Sequence, residues 1–74
     1  MARAVDRETL LYKLAVLEFD FLKEDSKLWL AKQGVAVGVP ASTWPVTVVT
    51  AERRTLTCHN WSALHDTLGF NGVA

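Results

Sequence analysis

From Gln33 to Ala51 the chain runs nineteen residues without a charged side chain. The stretch is too broken by Gly34, Gly38, Pro40 and Pro45 to be a helix or a membrane span, so it must be strands and their turns. Val35, Val37 and Val39 alternate with Ala36 and Gly38, which predicts a strand over 35–39. Trp44, Val46 and Val48 alternate in the same way. Thr50-Ala51-Glu52-Arg53 supplies a polar turn, and Arg54 to Cys58 returns with Leu56 and Cys58 on one face and threonines on the other. The pattern is an antiparallel hairpin over 44–58, with Pro45 marking an edge or a strand beginning.

The first third of the chain reads as helix. Asp6 is a capping residue, Glu8 suits the first turn, and no Gly or Pro interrupts 9–33. Leu10, Leu14, Leu17, Phe21 and Leu28 fall on one seam at helical spacing, and Ala31 continues it. Lys32 and Gly34 then read as a C-terminal stop. Two versions fit: one helix over 6–33, or a break at Asp25 or Ser26 with a second short helix over 27–33. The unbroken seam favours the single rod. On that rod Leu11, Ala15, Leu22 and Trp29 make a second apolar stripe, and Tyr12, Val16, Phe19 and Leu30 a third. A helix so apolar needs cover on more than one side.

Asn60 caps a final helix expected over Trp61 to Leu68, with Gly69 ending it. The expected fold is therefore α+β and a single domain over 1–74. A long N-terminal helix packs on a small antiparallel sheet of two or three strands, and a short C-terminal helix completes it.

Size and charge limit what such a domain does. At 74 residues only about 60% of the accessible surface is buried on folding. That leaves little margin for a buried polar site, and self-association is a common remedy. Leu, Val and Phe are too frequent for disorder. Eight basic residues balance eight acidic ones, so no global field draws the chain to phosphate or anionic lipid. A single cysteine, Cys58, rules out an internal disulfide framework. Asp6, Arg7 and Glu8 interrupt the N-terminus before any apolar run, which argues against a secretory signal and for a cytoplasmic location.

Cys58, His59, His65 and Asp66 are the only residues that suggest metal or nucleophilic chemistry. They lack the second Cys pair of a structural zinc site. Cys58 and His59, adjacent on a strand, point to opposite faces and do not form a Cys–His couple. The plain reading is a half-buried strand cysteine and two surface histidines. Gly34 and Gly38 lack the context of either glycine-rich phosphate loop. A helix-turn-helix around Ala31 to Val35 would need a recognition helix containing Pro45 and the β-branched run after it, with no cation between Lys32 and Arg53. Neither catalysis nor that mode of DNA binding is expected, and no cofactor or metal.

Asn60-Trp61-Ser62-Ala63-Leu64-His65-Asp66-Thr67-Leu68 resembles the N-W-D-A-L-x-D-x-L run of barstar-type ribonuclease inhibitors. The likeness covers nine residues and departs at Ser62, where that run has an acid. It is read as a convergent helix start, and no functional residue is carried across.

What remains is apolar surplus. The expectation is a non-enzymatic protein-binding module of the inhibitor or adaptor kind, similar in size and neutrality to those that mobile elements encode. It is expected to be a homodimer that occupies a surface of a larger partner. The interface candidates are Leu10, Leu14, Leu17, Phe21 and Leu28 on the seam, with Tyr12, Phe19 and Trp29 beside it. Two long helices pairing antiparallel along that seam are the simplest closed arrangement. The alternative is a small nucleic-acid-associated regulator that uses Arg3, Arg7, Arg53 and Arg54 from a dimer.

Overall fold

The computed structural model describes residues 4–74. Seven elements follow in chain order: helix α1 (Arg7–Val16), strands β1 (Asp20–Glu24), β2 (Leu28–Lys32), β3 (Val35–Val39), β4 (Val46–Val49) and β5 (Thr55–Cys58), and helix α2 (Trp61–Phe70). The strands form one antiparallel meander in the order β1-β2-β3-β4-β5. The fold is α+β, but the expected long rod on a two- or three-stranded sheet is wrong. Residues 20–32, read as helix, are the first two strands of a five-stranded sheet.

The helix ends early for a local reason. Asp6 caps α1 as expected, its carboxylate accepting the Thr9 N–H at 2.8 Å. Twelve residues later the helix is stopped by Glu18, which takes a left-handed conformation at φ 67°. The Glu18 N–H then reaches the Ala15 carbonyl at 2.9 Å, and the Phe19 N–H reaches that of Leu14 at 3.0 Å. This is a Schellman termination with its usual apolar clasp, since Leu14 and Phe19 are both buried. Glycine normally fills that position, so a glutamate hides the stop.

Beyond the stop, the chain alternates. Leu28 and Leu30 lie opposite Val39 and Val37, whereas Trp29 and Ala31 lie opposite Gly38 and Ala36 on the other face. The pairing of β1 with β2 shifts between Phe21 and Lys23, so Leu22 is a bulge residue. Such an insertion lets helical spacing and strand pairing coexist over the same residues. Asp25 makes the turn rather than a helix cap, its carboxylate accepting the Lys27 N–H at 3.2 Å. Gly34 is likewise no helix stop. Gln33 and Gly34, at φ 50° and 84°, form the two-residue turn between β2 and β3. The strand over 35–39 and the hairpin over 44–58 are present, with Pro45 just ahead of β4. The final helix runs past Gly69 to Phe70 and ends at Gly72 (φ 75°), with Val73 N–H on the Leu68 carbonyl at 3.0 Å.

Both helices cover one face of the sheet. Leu10, Leu14, Leu64, Leu68, Phe19 and Val73 meet Leu30, Val35, Val37, Val39, Val46, Val48 and Cys58 in a single core. Lys32 closes it. Its ammonium donates to the Leu17 carbonyl at 2.7 Å and to that of Val73 at 3.3 Å, one group at the C-terminal end of each helix. At the opposite end Arg7 Nε donates to the Pro40 carbonyl at 3.2 Å, and Trp44 Nε1 to that of Val5 at 2.8 Å. The helices therefore run in the same sense, from the 40–45 connection towards Lys32.

Candidate interaction surfaces

The expected seam is divided among three places. Leu10, Leu14 and Phe19 are core, and Leu17 and Leu28 are half-buried against it. Phe21 is 65% exposed: it lies opposite Leu30 on the helix-bearing face, but on an edge strand whose residues are all exposed. Trp29 is half-buried on the opposite face, lying so close over Gly38 that a Cβ there would meet its ring at 2.8 Å. Tyr12 is 70% exposed on α1. These eight residues do not form one surface, because the rod that was to align them ends at Leu17.

Sequence reasoning missed the groove between the helices. Tyr12 and Val16 from α1 and Trp61 and His65 from α2 line a depression of about 400 Å³ with Thr9, Lys13 and Leu17. The spacing of Tyr12 and Val16, one turn apart, puts both on one side of α1. Asn60, whose side chain accepts the Ala63 N–H at 2.8 Å, starts α2 so that Trp61 stands in its first turn. The Trp61 ring carries two neighbours: the Lys13 ammonium 5.1 Å from its centre, and the His65 ring 5.5 Å away and tilted by 44°. The groove is thus a mostly apolar floor with one cation at its side. The signal that pointed to it was the Asn60-Trp61 helix start, read only as the beginning of the final helix.

The other candidates are dispersed. Cys58 is buried, and its Sγ donates to Thr67 Oγ1 at 3.6 Å. His59 is exposed at the strand end, and His65 stands beside Trp61. Among the described residues no three His, Cys, Asp or Glu side chains gather as a metal site would require. Arg3 lies outside the described residues. Arg7 reaches Pro40 at one end of the sheet, whereas Arg53 and Arg54 sit in the turn at the far end of β4, about 13 Å of strand away. Among the described residues, Arg7 is not brought beside Arg53 and Arg54 within one chain. Among the described residues no helix is long and apolar enough to cross a membrane.

No protein family, curated protein or solved structure matches this chain. The nine residues that resemble the barstar-type run span the α2 cap and helix, where Asn60 performs the capping that the run's first residue implies.

Proposed function

We propose that this chain is a non-enzymatic protein-binding module of the inhibitor or adaptor kind, homodimeric, that occupies a surface of a larger partner. The observation that carries the reading is the α1–α2 groove. Tyr12 and Val16, 70% and 62% exposed, stand on the same helix-bearing side as Trp61. Tyr and Trp are the side chains that most often anchor protein interfaces, because they bury large area at little entropic cost. A depression of this volume accepts an apolar anchor residue from the partner, and Lys13 beside it favours an acid next to that anchor.

A photo-crosslinking amino acid at position 12, introduced in producing cells, tests this. A discrete crosslinked protein is expected, with the yield lost on Val16→Asp or Trp61→Ala while the fold survives by circular dichroism. The same probe at Thr47, on the helix-free face, serves as control. Crosslinks that are equally abundant from both positions, or indifferent to Val16→Asp, remove the groove reading.

A further inference from the structure

The two edges of the sheet are unlike. β1 carries Asp20, Lys23 and Glu24 and is kinked by the Leu22 bulge, the features by which edge strands resist pairing. β5 (Thr-Leu-Thr-Cys) has neither a charge nor a bulge in its register with β4. The turn before it fixes which of its backbone groups point away from β4. Thr50 N–H donates to the Arg54 carbonyl at 2.9 Å and Arg53 N–H to the Thr50 carbonyl at 2.9 Å, a bulged closure whose first bond makes Val49–Thr55 a non-hydrogen-bonded pair and sets the phase of the ladder. Antiparallel ladders alternate, so Leu56 and Cys58 bond inward to Val48 and Val46, and Thr55 and Thr57 turn N–H and C=O outward.

Building on the homodimer reading above, we infer that β5 is the self-association edge, pairing antiparallel with β5 of a second copy about a two-fold axis through Leu56. The strand is its own complement in that register. Thr55 and Thr57 of the second copy face each other and exchange both backbone hydrogen bonds, and threonine pairs line the helix-free face. Leu56 meets its own symmetry mate as a close, non-hydrogen-bonded pair on the helix side. That accounts for Leu56 being 39% exposed on a face whose central residues are buried. Arg54 falls opposite Cys58 and the ladder ends there, because Arg53 (φ 66°) and Glu52 lie in the turn and Asn60 caps α2, so no like charges stand directly opposite each other in it. The result is a continuous ten-stranded sheet with the helices on one side. It leaves the β1 edges at the outer ends, where the charges and the bulge stop further growth.

Sedimentation equilibrium on the full chain is the test. Wild type is expected to dimerise reversibly. Thr57→Pro removes an outward N–H without touching the β4 ladder, and Leu56→Lys sets two cations together on the axis. Each should raise the dissociation constant by about tenfold or more with circular dichroism unchanged. As a positive test, Leu56→Cys in a Cys58→Ala background should form an intermolecular disulfide. Close antiparallel pairs hold Cα atoms ~4.5 Å apart, within disulfide reach, and Phe21→Cys in the same background should not crosslink. A dimer indifferent to both β5 variants and without the Leu56→Cys crosslink overturns this edge and leaves the homodimer reading standing. A strict monomer at all concentrations overturns both, as does a monomer that takes an extended foreign peptide along β5 in place of a second copy.

Discussion

Lys32 shows how much one side chain decides in a chain this short. Its stem leaves β2 on the core side and its ammonium ends between the Leu17 and Val73 carbonyls, where both helix dipoles are negative. Hydrogen bonds to a charged group are among the stronger ones, and removing the donor leaves part-buried acceptors unpaired. Lys32→Met, which keeps the stem, should cost about 1.5–3 kcal/mol in chemical denaturation. Little or no loss would mean that water serves the carbonyls equally well. Asp6 makes a pH-dependent contribution. The Thr9 backbone N–H, and after it the Thr9 side chain, hold its carboxyl below its usual 3.8. The stabilisation is complete above that value and fades as the pH falls through the lowered one. Asp6→Asn keeps a capping oxygen that does not titrate. Between pH 5 and pH 2 the melting temperature of this variant should fall less than that of wild type, and parallel curves would discount the cap as a titrating group.

At the scale of elements, the helix stop at Leu17–Phe19 separates the expected fold from the observed one. Two neighbouring apolar residues clasp across it and two backbone bonds close it, but the left-handed position carries Glu18. Glu18→Gly should therefore raise stability by about 1 kcal/mol, because glycine takes that conformation without the steric penalty. A destabilised variant would show that the Glu18 side chain contributes something its exposure does not suggest. The sheet was legible wherever alternation met turn residues, as in Val35–Val39 and the hairpin of β4 and β5. It was not legible over 20–32. There the Leu22 bulge brings Phe21 and Leu28 onto a helical period, and Gln33-Gly34, a hairpin turn, reads equally as a helix end. The α2 cap at Asn60 was readable, but its end was not. Gly69 tolerates helical geometry, and the left-handed residue is Gly72.

At the scale of the molecule, the helices shelter one side of the sheet, and among the described residues no helix covers the other, where Trp29 is laid over Gly38. The apolar surplus that first suggested a partner persists, but at the groove and the strand edges instead of along one seam. If β5 joins two copies, folding is linked to assembly. The denaturation midpoint of wild type should then rise with protein concentration, and that of Leu56→Lys should not. A midpoint independent of concentration in both would detach stability from association. The groove variants Val16→Asp and Trp61→Ala lie on another layer and should leave the concentration dependence unchanged.

The sequence by itself determined the local chemistry. It set the caps at Asp6 and Asn60, the uncharged valine strands from 35 to 49, the opposite faces of Leu56 and the threonines, and the α+β class. These depend on neighbours within a few residues, where spacing and side-chain type suffice. Only the tertiary structure decided that residues 20–32 pair as strands, that Lys32 joins two helix ends, and that Tyr12 and Trp61 share a groove. Each of those depends on what lies opposite in space. A run with mixed periodicity takes helix or strand according to the partner it finds, and β2 finds β3 across a two-residue turn.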